Sequence, residues 1–403
     1  MDYKYKAEKY KKKYLFLKNN YKYVNFNGLF KINPYNYFEP KNLNELQYYI
    51  RSNNKIRIYG STHVFNDMVL SPDTLINTKY LDSIIDIDLQ NKVVHIESGI
   101  KLYELLDKLE KNNLTLSCMT ATSYVSLGGA IATGAHGSHI NYGTFSNIVK
   151  EVTMVNHDGQ IINISDNNLL KAIRCNIGCL GGIYSIKLKC VDLFDIEETT
   201  QKTTWDYFYK NMEKILNEYD YTQVNVDQFD ENLETTILLR KKVPRIKGKK
   251  NANNILTSKY NEYYIECELA FDYKDANNAM KSICKFHNDY NKYYNFKSDS
   301  HILARFCASD DTLLSMASGR RTIFISSFFG KRYDPNDVYK FMYLLCDKMI
   351  SQYNARPHYG KIHNLSQKKM SKIYKNYNLF KSIKNHFDPV NKFSNDYVAK
   401  LFD

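Results

Sequence analysis

Leu102, Leu105, Leu106 and Leu109 recur at i, i+3, i+4 and i+7 in KLYELLDKLEKNNLTL, the spacing that predicts a helix with one apolar face. NLNELQYYIRSNN predicts another helix starting near Asn44, feeding the strand KIRIYG. NKVVHIESGI reads as a strand ending at Gly99. KEVTMVNHDGQIINIS has two β-rich runs around Asp158-Gly159 and predicts a hairpin. NLLKAIRCN predicts a helix, and IGCLGGIYSIKLKCV a glycine-rich turn entering a strand. Further on, EYYIECELAF and RRTIFISSFFG predict strands. DVYKFMYLLCDKMISQY predicts a helix with apolar positions at 341, 342, 344, 345 and 349. RKKVPRIKGKK at 240–250 holds Pro244 and Gly248 and predicts a loop, and Pro389 marks a turn near the end. No internal repeat is visible.

The alternation of helical and strand patterns over 403 residues is enough for two sizeable cores. With 43% hydrophobic and 25% charged residues the chain is expected to be globular, and no apolar run nears the roughly 20 residues of a membrane span. The N-terminus is basic, without an apolar signal core or cleavage site, so no secretory signal is expected. Its lysine/tyrosine-rich residues 1–22 read as a helix or a mobile extension, similar to basic leaders on proteins of giant DNA viruses of amoebae. Eight cysteines without CxxC pairs argue against a zinc site and favour free thiols in a reducing, cytoplasmic compartment, or a virion if the origin is viral. The 35 tyrosines fit an AT-biased genome.

Charge narrows the picture less than its size suggests. The net +13 is concentrated at 1–22, 240–250 and 368–384. Nucleic acid is one partner such tracts could hold, but no DNA- or RNA-binding motif accompanies them. Solvated faces and loops are the reading carried forward.

Two stretches carry candidate chemistry. RIYGSTHVFND ends a strand in Gly60-Ser61-Thr62 and sets His63 at the loop tip, with no companion ligand for a metal. SLGGAIATGAHGSHINYG places glycines 128, 129, 134, 137 and 143 among small residues. Such a run lets backbone N–H groups approach an anion, and a pyrophosphate suits that cradle as well as tight packing does. The spacing is neither GxGxxG nor GxxxxGK[ST].

Taken in order, YGSTHVFND, SLGGAIATGAHGSH, NHDGQIINIS and IGCLGGIYSIKL resemble the flavin domain of the vanillyl-alcohol-oxidase-type (PCMH-type) FAD-linked oxidases. The likeness is strongest to the L-gulonolactone, D-arabinono-1,4-lactone and alditol oxidase branch. ARPHYGK at 355–361 resembles that branch's RPHWGK, with Tyr359 for Trp, and FDPVNKFSNDY its terminal FDPxxxFxNxY. The resemblance runs from about residue 24 to the end and is weak between 200 and 300.

It implies an α+β fold: a two-subdomain FAD-binding domain over 24–194 after the basic extension 1–23, an antiparallel-sheet substrate cap over 195–350, and a segment 351–403 returning to the flavin. It implies FAD, linked through His63, because a neutral imidazole nitrogen can add to the flavin's electrophilic methide form. The cofactor would lie against Tyr59, Gly60, Ser61, Thr62, His63, Val64 and Phe65, and against Ser126, Gly129, Gly134, His136, Gly137, Ser138 and Ile183. Lys361, Arg305 and Ser126 match residues that face the substrate, and a cation there can stabilise charge gathering on reduced flavin.

Beyond Tyr359, the sequence departs from the branch at four places. Leu303 stands where relatives keep a glutamate two residues before the arginine. Ser326 and Phe328 replace the His-x-Thr pair. Thr120 stands at a glycine position whose openness admits oxygen. The implied reaction is hydride transfer from a CH–OH group of a sugar-derived alcohol or lactone to flavin N5, with O2 or another acceptor taking the electrons and O2 giving H2O2. The base is unassigned between His358 and a deprotonated Lys361. The alternative is a flavin-binding structural or nucleic-acid-packaging protein with altered catalysis.

Overall fold

The computed structural model describes residues 13, 15–246, 250–259, 263–298 and 301–403. Most of the basic leader, and residues 247–249 of the second basic tract, therefore lie outside the described residues; residues 15–20 are helical.

The predicted patterns fold locally much as they read. Asn42 caps the helix Leu43–Ser52 by accepting from the Glu45 amide at 3.0 Å. The leucine-striped helix Leu102–Glu110 buries all four of its periodic leucines. Val149–Val155 and Ile161–Ile164 form the antiparallel hairpin, turning through Gly159 at φ +78°.

Three sheets organise the chain into an α+β fold. The parallel sheet Asn36–Phe38, Thr74–Asn77 and Ile56–Tyr59 points its last strand at the His63 loop. A five-stranded antiparallel sheet runs Ile161–Ile164, Val149–Val155, Gly182–Lys189, Val93–Glu97, Ile84–Asp88. A seven-stranded antiparallel sheet runs Asp195–Thr204, Glu234–Val243, Tyr221–Val226, Ile302–Cys307, Thr322–Phe329, Ile265–Asp272, Arg356–Pro357. The long helices Ala276–Tyr294 and Pro335–Tyr353 pack on this sheet.

Two expectations need correction. Residues 240–243 are not loop: they finish the strand Glu234–Val243, where Arg240 meets Glu198 across the ladder at 2.6 Å. A basic run can extend a strand when acids face it from the neighbour. In Pro335–Tyr353 the buried positions include Val338, Cys346 and Ile350, whereas Leu344 is 45% exposed, because the helix turns its apolar stripe away from that position. All eight cysteines are free and buried. No described helix is long and apolar enough to cross a membrane.

The last segment folds back under the first. Arg57, buried in the strand Ile56–Tyr59, donates to the carbonyls of Met68, Ile177, Gly178 and Phe393 at 2.8–3.0 Å. The Asn66 amide donates to the carbonyls of Tyr359 and Lys361 at 2.7 and 2.8 Å. Residues from both ends of the sequence are thereby pinned around one opening.

Candidate functional site

Strand Ile56–Tyr59 ends at Gly60, where a Cβ would sit 2.0 Å from Ser126 Oγ, so only glycine lets the two small-residue loops touch. Ser61 Oγ accepts from the Ser126 amide at 2.9 Å and joins them. Thr62 then takes φ +61°, a left-handed conformation costly for a β-branched residue. Its carbonyl accepts from the Val64 amide at 2.9 Å, a three-residue turn with His63 at the apex.

Strain here aims the imidazole. The His63 ring lies 4.4 Å from that of Phe26, and its Nε2 is 3.3 Å from the Tyr264 hydroxyl. Burial, with the Lys361 charge adding to it, lowers its pKa to about 3. The ring is neutral at physiological pH.

Both loops open on a cavity of about 280 Å³, comparable to a small-molecule site. One wall is His63 with its flanking residues, Ser126, Gly129 and His136; the opposite wall is the seven-stranded sheet with His358, Gly360 and Lys361.

The sheet wall carries a cluster of charge. Strand Ile265–Asp272 turns Glu266 and Glu268 to the cavity, as residues two apart on a strand share a face. Glu268 is fully enclosed: Oε1 lies 2.7 Å from His136 Nε2, and Oε2 accepts from Ser326 Oγ at 2.8 Å and pairs with the Arg305 guanidinium. Burial alone would raise the Glu268 carboxyl, but His136 and Arg305 outweigh it and hold it well below the usual range. His136 stacks on Phe324 at 3.5 Å and offers Nδ1 to the Gly137 carbonyl at 2.9 Å, so each ring nitrogen faces an acceptor.

Glu266 pairs with Lys361, whose ammonium also lies 4.6 Å over the Phe65 ring. His358 Nδ1 accepts from the Gly360 amide at 3.0 Å, which leaves the ring hydrogen on Nε2. Burial is the main cause that pushes its pKa well below the ordinary histidine value. His358 is thus set up as a donor to the cavity, and its reading as a base does not fit this tautomer.

Residues 34–165 match the FAD binding domain family and residues 235–401 the D-arabinono-1,4-lactone oxidase family. L-gulonolactone oxidase of Mus musculus is 25% identical, covering 95% of this chain and 99% of its own length. L-gulono-1,4-lactone dehydrogenase of Mycobacterium tuberculosis is 21% identical over 86% of this chain and 90% of its own. A crystal structure of cholesterol oxidase from B. sterolicum superposes with a TM-score of 0.81 at 14% identity, over 94% of this chain and 96% of that one. The chain belongs to the PCMH-type FAD-linked oxidases.

In this FAD-linked oxidase the cavity fits its cofactor. Gly60 and Gly129 line it where side chains would strike Ser126 Oγ, and Gly178 does so at φ +68°. Of the residues expected at the flavin, Tyr59, Gly60, Ser61, Thr62, His63, Val64, Ser126, Gly129 and His136 line the cavity, as do Arg305, His358 and Lys361.

The others stand behind or beside it. Phe65 is buried, its amide donating to the Gly360 carbonyl at 2.9 Å. Gly134 turns the chain at φ +68°, with Cys175 Sγ where a Cβ would go. Gly137 and Ser138 border a smaller cavity of about 30 Å³ that shares Arg305 with the main one. Ile183 is buried in the core, its carbonyl accepting from Ser98 Oγ at 2.6 Å.

Of the four positions expected to differ from the branch, Leu303, Phe328 and Thr120 line the cavity, and Ser326 serves Glu268. Sequence reasoning missed Glu266 and Glu268. The available signal was the pair of acids two apart in IECELAF, a strand otherwise apolar.

Proposed function

We propose that this FAD-linked oxidase oxidises a CH–OH group of an aldonolactone or related sugar-derived alcohol, with O2 as acceptor and H2O2 as product. The observation that carries the reading is the meeting, in one cavity, of the glycine-lined loops and the Lys361, Arg305, Glu266 and Glu268 cluster.

FAD supplies the two-electron acceptor for the carbinol hydride. The chain's own residues do the rest. Gly60, Ser61, Ser126 and Gly129 hold the cofactor, and His63 is its covalent attachment point; a neutral imidazole keeps the lone pair that such a bond needs. Arg305 and the Nε2–H of His358 donate to substrate oxygens, fixing the carbinol carbon. Lys361 offers positive charge where electron density collects. Leu303 and Phe328 give the pocket an apolar flank. The proposed domains are FAD binding over 24–194, a substrate cap over 195–350, and a returning segment over 351–403. A catalytically decayed structural protein is not favoured, because the charges of the cluster are paired with one another on the cavity wall, Glu268 with Arg305 and Glu266 with Lys361.

Purified protein should be yellow and lose that colour anaerobically on adding L-gulono-, L-galactono- or D-arabinono-1,4-lactone, or a polyol. Failure of the whole panel to bleach it sinks the assignment. Colour that stays with the polypeptide after acid denaturation, and leaves in His63→Ala, supports the covalent bond; colour released from the wild type refutes it.

A further inference from the structure

We propose that Glu266 is the proton-accepting residue of the reaction, supplying from another strand the carboxylate that Leu303 does not provide. The inference rests on the oxidation of a CH–OH group proposed above.

Strand pairing shows where the charge has gone. Leu303 lies opposite Ser326, and Ser326 opposite Glu268, so the three form one row across the seven-stranded sheet. The carboxylate in that row stands two strands from position 303, about 10 Å away at the usual strand spacing. Glu268 itself is saturated by His136, Arg305 and Ser326 and has no exposed side-chain surface, so it orients Arg305 rather than meeting substrate.

Glu266 differs. It lines the same cavity with 3% of its side chain open, and Oε2 is held by Lys361 while Oε1 has no hydrogen bond among the described residues. The Glu266 carbonyl accepts from the Ile362 amide at 2.9 Å and the Glu268 carbonyl from His358 at 3.0 Å, which fixes the Lys361 loop beside the carboxylate.

Elimination points to the same residue. Arg305 has donors only. His358 has its lone pair turned to Gly360. Lys361 donates to Glu266 and presents hydrogens, not a lone pair. Oε1 of Glu266 is the acceptor left on the sheet wall. The carbinol O–H breaks and its proton bonds to Oε1; the O–H electron pair becomes the second C–O bond; the C–H hydride departs with two electrons to the flavin. The products are a carbonyl compound, a protonated Glu266 and a two-electron-reduced cofactor.

The test is anaerobic stopped-flow reduction of the FAD-loaded protein across pH, using a lactone that bleaches the wild type. Glu266→Gln should keep its flavin spectrum yet slow reduction by about 100-fold or more, and lose the acid limb of the wild-type pH profile. Glu266→Asp should restore that limb with part of the rate. Loss of the limb is a readout that a purely structural role would not produce. If Glu266→Gln is reduced at the wild-type rate with the wild-type profile, the Glu266 assignment is overturned while the CH–OH reading stands. If no lactone or alcohol reduces the wild type, both fall. Should the glutamine variant not retain FAD, Glu266→Asp decides: a slower rate with the limb retained supports the assignment, and an unchanged rate overturns it.

Discussion

At the scale of single residues, two positions lend themselves to decisive substitutions. Gly60→Ala would drive a Cβ to 2.0 Å from Ser126 Oγ, so the two loops must part. Overpacking of this kind costs about 1–3 kcal/mol. The expected outcome is a folded protein that incorporates less FAD than the wild type, read by the 450 nm absorbance per polypeptide after dialysis. Thr120 lines the cavity at the position where oxygen-reactive relatives are expected to have glycine. Thr120→Gly should speed reoxidation of the reduced protein by O2 about tenfold while leaving the anaerobic bleaching rate unchanged; the two half-reactions measured separately check this. His63 and its loop were legible in the sequence because a strand, small residues and an imidazole lie within a dozen positions. Glu266 and Glu268 were not. Their meaning depends on Lys361, Arg305 and His136, which come from distant parts of the chain and are brought together only by sheet register and the returning C-terminal segment.

At the scale of elements, the strand Ile265–Asp272 divides its labour between faces. Glu266 and Glu268 look into the cavity, while Cys267 looks back to the helix Pro335–Tyr353, its Sγ 3.4 Å from that of Cys346. Local periodicity identified the strand, but the alternation over Ile265–Leu269 does not tell whether its charged face meets solvent or a buried cavity. The same limit explains Leu344, apolar yet facing solvent, and the basic residues 240–243, which join a strand because Glu198 lies opposite. Arg57 shows how elements are tied together. It satisfies four carbonyls from three separate segments, and Arg57→Met would leave those acceptors buried without a donor. A loss of about 3 kcal/mol or more is expected in denaturant unfolding, against well under 1 kcal/mol for an exposed control such as Lys55→Met.

At the scale of the whole molecule, buried neutral histidines set the response to acid. Burial, first of all, holds His139, His287 and His363 down to about 3. In the unfolded chain each would titrate near 6.5, so between these values the unfolded state binds more protons than the native one. Stability from these groups is therefore complete above about pH 6.5 and declines as the pH falls toward 3. Each histidine contributes at most about 1.4 kcal/mol per pH unit. The midpoint of thermal unfolding should drop steadily from pH 7 to pH 4.5. His287→Gln, which keeps a partner for Ser327, should flatten that slope; an unchanged slope would remove His287 from the account.

The segment after Pro335–Tyr353 contributes His358 and Lys361 to the cavity rim, and Asn66 clasps it from below. During synthesis, then, every glycine of the dinucleotide loops is in place long before the cation opposite them exists. A polypeptide halted by a premature stop anywhere ahead of residue 356 lacks both groups outright.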